Sequence, residues 1–110
     1  MKIFVKARHM EATESIREYV ESKASKLERF YDNLQSVEIT LDLEADHTVV
    51  EAVATAKRKS TFVATHREPD LYACVDHCLD KIEEQIRRHK DKVRDRQGPP
   101  HSESMGEGTP

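Results

Sequence analysis

Glycine is absent from almost the whole of this sequence. The first 96 of the 110 residues contain no glycine and a single proline, Pro69, while all three glycines lie beyond residue 97. A loop that wraps a phosphate needs glycine, because its backbone must approach the ligand closely and adopt positive φ. Dinucleotide-binding and P-loop motifs are therefore excluded, and the chain must make its turns with other residues.

The C-terminal end differs from the rest in composition. Residues 97–110 read QGPPHSESMGEGTP, with almost no apolar side chains. Such a segment buries too little surface to offset the entropy lost on ordering it. Because a chain of this length holds one core, we predict one domain over residues 1–96 and a disordered tail over 97–110.

Two periodicities organise the predicted domain. Alternation of apolar and polar residues predicts strands over 2–8, 37–43, 49–57 and 61–66. Helical spacing predicts one helix over 13–34 and another from Asp70 to about Arg94, with Thr13 and Asp70 as N-caps. The order β-α-β-β-β-α with short links predicts an α+β fold, in which two helices pack on one face of a four-stranded, mostly antiparallel sheet.

The charge total hides an uneven distribution. The formal net charge is −3, whereas nucleic-acid-binding proteins usually have a basic balance, so the total by itself argues against such a partner. Residues 1–56 carry −4, however, and residues 57–96 carry +3. Any surface that binds a polyanion must therefore be local and one-sided.

Basic side chains line the flanks of the apolar stripe on both predicted helices. Pairs at i,i+4, such as Glu84 with Arg88, are typical of a solvated face. A ridge of the same residues would instead attract a polyanion, and the pattern leaves both interpretations open. On the first helix one flank carries Lys23, Lys26 and Arg29. On the second helix one flank carries Lys81, Arg88 and Lys92, and the opposite flank carries Arg87, Lys90 and Arg94.

Other kinds of site find little support in the sequence. Cys74 and Cys78 are spaced i,i+4 with His77 between them, but both project near the apolar stripe, where cysteine acts as a small hydrophobe. We predict no metal, no cofactor and no catalytic residue. The chain lacks an apolar run that could span a bilayer or serve as a signal peptide, and two cysteines without such a signal indicate reduced thiols in the cytoplasm.

Several runs resemble one family. The run DLYACVD at 70–76 with LDKI at 79–82 and HKDK at 89–92 is similar to the second helix of the ribosome hibernation-promoting factors, also called ribosome-associated inhibitor or ribosomal subunit interface proteins. The runs TESIREYV at 13–20 and KLERFYD at 26–32 resemble the first helix of that family. The resemblance covers about residues 1–95 and departs from the family at the turn HREP, residues 66–69, where a glycine-containing turn is common.

The resemblance implies a function that is steric and electrostatic, without catalysis. Members bind the small ribosomal subunit in the channel of messenger RNA and transfer RNA, inhibit translation and preserve idle ribosomes. The family's basic positions that face ribosomal RNA are matched here by Lys23, Lys26 and Arg29 on the first helix and by Lys81, Arg88, Lys90 and Lys92 on the second. A short form such as this would be a monomer when free. An alternative is a protein–protein interaction module that uses an edge strand or the exposed sheet face, with Val49 and Val53 as anchors.

Overall fold

The structure, a computed structural model, describes residues 1–97, apart from the side chains of Lys59 and of residues 92–97. The predicted tail lies outside the described residues except for Gln97. Four strands and two helices follow one another in the predicted order β-α-β-β-β-α, which confirms the α+β fold. Their bounds are β1 Lys2–Arg8, α1 Glu14–Phe30, β2 Leu34–Glu44, β3 His47–Ala56, β4 Thr61–Glu68 and α2 Leu71–Gln97.

The strands form one sheet in the order β1-β2-β3-β4. Strand β1 pairs in parallel with β2, as the crossover through α1 requires, and the two hairpins make the other pairs antiparallel. Both helices pack on the same face of the sheet, α1 mainly against β1 and β2 and α2 against β3 and β4. The predicted architecture is therefore confirmed.

Both predicted N-caps are present. The Thr13 hydroxyl accepts a hydrogen bond from the Ile16 backbone N–H at 3.3 Å, and the Asp70 carboxylate accepts one from the Tyr72 N–H at 3.0 Å. Each cap satisfies a backbone donor that the first helical turn leaves unpaired. At its other end, α1 is shorter than predicted, because the backbone is already extended at Tyr31 and Leu34 begins β2.

The core lies between the sheet and the two helices. Ile39 and Leu41 of β2 and Ile82 and Ile86 of α2 are completely buried, and Val20 adds the contribution of α1. Burying a side chain of this size stabilises the fold by about 1.5–3 kcal/mol. The polar faces of both helices are consequently turned toward solvent.

Both cysteine thiols belong to this core. Cys74 and Cys78 are free thiols without solvent exposure, and Cys78 donates to the Val50 and Ala64 carbonyls at 3.4 Å. Burial raises the pKa of Cys78 to about 12, so the thiol stays protonated at neutral pH. The predicted role of the two cysteines as apolar stripe residues is confirmed.

The turns are made without glycine, at a local energetic cost. His9, Ala45 and Arg58 adopt φ of 56°, 50° and 65°. This left-handed region costs a residue that carries a Cβ roughly 1–2 kcal/mol. The strain at Arg58 lies in a short 3₁₀ turn, Lys57–Lys59, between β3 and β4.

Strand β4 is an edge strand, and α2 covers its free backbone. The Lys81 ammonium donates to the Thr65 carbonyl at 2.8 Å, and the Gln85 amide donates to the Val63 carbonyl at 2.7 Å. Such contacts block the addition of another strand at this edge. None of the described helices is long and apolar enough to cross a membrane.

Candidate nucleic-acid interface

The two helices lie side by side and run in the same direction. Near their N-terminal ends the Tyr19 hydroxyl donates to Asp76 at 2.7 Å, and the Tyr19 and Tyr72 rings meet edge to face at 4.8 Å. Near the C-terminal end of α1 the Lys90 ammonium donates to the Phe30 carbonyl at 3.0 Å. Residues along α1 therefore face successive turns of α2.

A groove of about 310 Å³ separates the middle of the two helices. We call it the helix groove; it is lined by Lys23, Lys26, Leu27, Asp76, Leu79, Asp80 and Glu83. Its basic wall is on α1 and its acidic wall is on α2, and Lys23 is 3.5 Å from the Asp76 carboxylate. A polyanion that enters this groove meets more carboxylates than ammonium groups.

The contact between Tyr19 and Asp76 closes the N-terminal end of the groove. The hydrogen bond to the Asp76 carboxylate, with additional desolvation, raises the pKa of Tyr19 to about 12. Lys23 also lies over the Tyr19 ring at 5.5 Å. This cluster holds the charge of Lys23 between the helices, which indicates a structural role for that residue.

A second charged surface lies on the other side of α2. This outer flank is a shallow surface formed by Asp80, Lys81, Glu84, Gln85 and Arg88. Arg88 forms an i,i+4 ion pair with Glu84 at 3.3 Å, yet three-quarters of its side chain remains exposed. Exposed pairs of this kind contribute about 0.2–1 kcal/mol, so the guanidinium can exchange its partner for a phosphate at little cost.

A third charged surface, in which cations predominate, surrounds the C-terminal end of α1. This basic end is formed by Arg29, Lys57, Arg58, Arg87 and Lys90. Lys90 and Arg87 lie over the Phe30 ring at 4.6 and 5.5 Å, and the Lys57 backbone N–H donates to the Asn33 carbonyl at 3.0 Å. These contacts bring the β3–β4 turn and α2 to the same end of α1.

Most cations of the basic end are available to a partner. Among the described residues, the side chains of Arg29, Lys57 and Arg58 make no hydrogen bond or ion pair. Lys90 differs, because its hydrogen bond to the last turn of α1 stabilises the negative end of that helix. Arg87 pairs with Glu83 at 3.2 Å.

The structure distributes the seven predicted RNA-binding residues over these surfaces. Lys23 and Lys26 line the helix groove, Lys81 and Arg88 form the outer flank, and Arg29 and Lys90 belong to the basic end. The side chain of Lys92 falls outside the described residues. Whether these positions contact RNA stays a prediction.

Three cations of the basic end were missed by the sequence-based selection: Lys57, Arg58 and Arg87. The run Lys57-Arg58-Lys59 is the sequence signal that could have identified this surface. Packing does not require three consecutive cations in a turn between two strands. Its proximity to α1 is not visible in the sequence, since the turn and Asn33 are more than twenty positions apart.

The outer face of the sheet is the surface that the alternative prediction, a protein–protein interaction module, would use. One cross-strand row contains Phe4, Glu38, Val53 and Val63, and Phe4 and Val63 are 50% and 48% exposed. Glu38 interrupts the row and pairs with Lys6 at 2.6 Å. The predicted anchors Val49 and Val53 are half-buried, and a protein–protein function for this face stays a prediction.

Curated relatives cover nearly the whole chain. The chain is 32% identical over 97 residues to the ribosome hibernation promoting factor of Azotobacter vinelandii, which covers 88% of this chain and 90% of the relative. It is 29% identical over 94 residues to the protein of that name from Escherichia coli K12, covering 86% and 98% of the two chains.

Solved structures give the same picture of the fold. A ribosomal subunit interface protein from Coxiella burnetii superposes with a TM-score of 0.77 at 23% identity, covering 83% of this chain and 99% of the other. The N-terminal domain of Protein Y from Thermus thermophilus gives 0.73 at 27% identity, covering 81% and 99%. The first of these likenesses supports the fold alone.

A family model matches residues 3–94, which are nearly all of the predicted domain. The resemblance inferred from the two helices is thereby confirmed. The prediction that the chain is not an enzyme is confirmed by the same family assignment, because this is a family of non-enzymatic binding proteins. With residues 3–94 matched, the chain belongs to the Sigma 54 modulation protein / S30EA ribosomal protein family.

Proposed function

We propose that this protein is a cytoplasmic ribosome hibernation factor that binds the small ribosomal subunit as a monomer. In this proposal it occupies the channel of messenger RNA and transfer RNA, inhibits translation and preserves idle ribosomes. The family match over residues 3–94 carries the proposal, and the relatives named ribosome hibernation promoting factor support it over most of their length.

The mechanism is occupancy rather than chemistry. The folded domain excludes other ligands from the volume that it fills, and exposed Lys and Arg side chains hold it there through phosphate oxygens. Structured RNA is recognised mostly through its backbone, its shape and its 2′-hydroxyl groups. A protein that binds in this way needs no aromatic platform for stacking bases, and Phe62 and Tyr31 pack against each other at 6.4 Å beside the core.

The basic end is the surface that suits phosphates best, and the outer flank offers Lys81 and Arg88 beside Asp80 and Glu84. Arg29, Lys57 and Arg58 extend into solvent without a side-chain partner among the described residues. Each bound phosphate releases counterions, so the logarithm of the binding constant falls by about 0.7–0.9 per phosphate for each tenfold rise in salt. Binding that relies on a few such interactions is strong at low salt and weak at high salt.

Acidic residues restrict the orientation of binding. Glu14, Glu18 and Glu21 are exposed on α1, and the acidic wall of the helix groove lies opposite α1 on α2. Ribosomal RNA repels these surfaces, so only the basic surfaces can face it. A net charge of −3 is therefore compatible with an RNA partner.

Co-sedimentation with ribosomes tests the proposal. We expect the protein in the small-subunit and whole-ribosome fractions of a sucrose gradient at low salt and its release as salt rises. Its absence from both fractions at low salt would rule out the proposed function. Competition with messenger RNA and initiator transfer RNA for the small subunit then tests the channel, since simultaneous binding of all three contradicts that position.

The outer flank gives a test at the level of residues. Reversing the charge of Lys81 and Arg88 on the outer flank, together with that of the predicted position Lys92, should weaken ribosome binding. It should also reduce the slope of the salt dependence by about one for each phosphate no longer bound. The matched control reverses Glu14, Glu18 and Glu21 on α1, which should leave binding unchanged or slightly stronger. Equal weakening in both triple variants would show that the outer flank is not part of the interface.

A further inference from the structure

A cluster of two histidines and a glutamate lies at the end of the structure opposite the basic end. Glu68 Oε1 is 2.9 Å from His66 Nε2 and 2.7 Å from His77 Nδ1. One potential ligand atom from each residue lies within 4.8 Å of the other two. None of these residues belongs to the basic surfaces described above, so the cluster is independent of the proposed ribosome contact.

The cluster is built on two rigid elements. His66 and Glu68 are separated by two positions on β4 and therefore point to the same face of the sheet, the face that α2 covers. His77 projects from the second turn of α2. The Cys74 thiol, one turn earlier on α2, donates to the His66 carbonyl at 3.2 Å, which adds a direct contact between the helix and the strand.

Partial burial distinguishes this cluster from an ordinary surface ion pair. The side chains of His66 and Glu68 are 24% and 25% exposed, while that of His77 is 53% exposed. The apolar series Phe62 and Ala64 on the inner face of β4 gives way to these polar residues at the edge of the core. The site is therefore sheltered on the protein side and open to solvent through His77.

We propose that His66, Glu68 and His77 form a binding site for a divalent transition-metal ion of the zinc class. Imidazole nitrogens with one carboxylate oxygen are a donor set that suits Zn²⁺, Ni²⁺ or Co²⁺, whereas Mg²⁺ and Ca²⁺ require oxygen ligands. Three protein ligands leave one tetrahedral position for water, and the exposed side of His77 gives that water access.

The three ligand atoms must change their separations to accept the ion. With metal–ligand bonds of about 2.0–2.1 Å, tetrahedral ligand atoms lie about 3.3 Å apart. Each of the two nitrogen–oxygen hydrogen bonds would open by about half an ångström to reach this separation. The two nitrogens, which lie within 4.8 Å of each other, would approach by up to about 1.5 Å. Rotation of the His77 ring can supply this movement, because half of that side chain is exposed. Asp76 and Asp80, which lie near His77 on α2, contribute negative charge beside the ion.

Calorimetric titration of the full chain with ZnCl₂ tests this site. We expect one ion per chain, no binding of Mg²⁺ at the same concentration, and a four-coordinate absorption spectrum with Co²⁺. His77→Ala should weaken zinc binding at least tenfold, in line with the effect of perturbing metal sites in general. At zinc concentrations tenfold above Kd, the Tm of the unaltered chain should rise by roughly 5–10 °C.

The controls separate this site from non-specific binding to histidine. His9 is exposed and pairs with Asp42 at 2.8 Å, so His9→Ala removes a comparable histidine elsewhere and should leave zinc affinity unchanged, as should His101→Ala. If His77→Ala does not fold in the absence of metal, Glu68→Gln preserves the side-chain shape and should also weaken zinc binding. Unchanged affinity in the His77 and Glu68 variants, or equal weakening in the His9 and His77 variants, would overturn the proposal.

Discussion

The helix groove and the basic end lie along the same pair of helices but differ in charge. In the groove, Lys23 and Lys26 of α1 face an acidic wall on α2. At the basic end, Arg29 continues the same stripe of α1, but the neighbouring part of α2 presents Arg87 and Lys90. One stripe of cations therefore serves two purposes, namely helix association in the groove and an exposed basic surface at its end.

The difference shows that the spacing of cations on one helix does not define a binding surface. The residue opposite each cation decides whether its charge is neutralised or available. Lys23 is 3.5 Å from Asp76, while Arg29 has no side-chain partner among the described residues. We therefore expect ribosome binding to depend more on the basic end than on the helix groove.

The largest effect should come from reversing the charge of the basic end. Arg29→Glu, Arg58→Glu and Arg87→Glu combined should weaken ribosome binding by roughly tenfold or more at low salt, because up to three phosphates would face a carboxylate instead of a guanidinium. Lys90 is left intact because it stabilises the end of α1. Binding measured across a salt series checks this, and the matched variant Lys23→Glu with Lys26→Glu should be weakened much less. A greater weakening in the groove variant would contradict the comparison.

A smaller effect of opposite sign is expected from the acidic wall of the groove. Asp80→Asn combined with Glu83→Gln removes two negative charges near the interface and leaves the Tyr19–Asp76 contact intact. Ribosome affinity at low salt should rise a few-fold, and the increase should disappear at high salt as the charges are screened. A fall in affinity at unchanged thermal stability would show that the groove carboxylates contact the ribosome favourably.

Variants in the strained turn of the basic end distinguish the effect of charge on ribosome binding from the effect of backbone conformation. Arg58→Gly relieves the left-handed φ and should increase the free energy of unfolding by about 0.5–1 kcal/mol, while weakening ribosome binding two- to threefold because one positive charge is removed. Ala45→Gly relieves the same strain in the β2–β3 turn without a change in charge. Denaturant unfolding should show both increases in stability, whereas only Arg58→Gly should alter binding. Weaker binding in both variants would attribute the effect to the backbone.

The smallest effect concerns the closed end of the groove at high pH. Because Asp76 raises the pKa of Tyr19 from 10.0 to about 12 in the folded protein, the phenol contributes stability that is complete below pH 10. That contribution is lost as pH rises from about 10 to 12. Absorbance titration should show one tyrosine ionising near pH 12, and Asp76→Asn should return it toward pH 10. Ionisation of Tyr19 near pH 10 in the unaltered chain would contradict the contact.

Local patterns were sufficient to predict the elements and the caps. Thr13 and Asp70 cap the helices as expected, and Cys74 and Cys78 lie in the core as their helical phase indicates. The error in the end of α1 has a tertiary cause, because Tyr31 shares the apolar phase of the helix but packs in extended conformation against Phe62 at 6.4 Å. The helical spacing of apolar side chains therefore continues beyond Phe30, where the helical backbone hydrogen bonding of α1 ends.

Local patterns could not predict the grouping of the charged residues or of His66, Glu68 and His77. Lys57 and Asn33 meet through a backbone hydrogen bond of 3.0 Å between two separate turns, and His77 reaches Glu68 across the sheet–helix boundary. Sequence spacing predicts neighbours within one helix or one strand. It does not predict which elements pack together in a given register, which depends on how the whole core fills its volume.

The sequence by itself determined the α+β order, the absence of a glycine-rich phosphate loop and the family to which the chain belongs. These properties follow from local periodicity, backbone sterics and short motifs. Only the tertiary structure decided which cations are neutralised in the helix groove, which extend from the basic end, and that His66, Glu68 and His77 meet. The physical reason is that electrostatic interactions and metal ligation act over a few ångströms in space, whereas the residues concerned are separated along the chain.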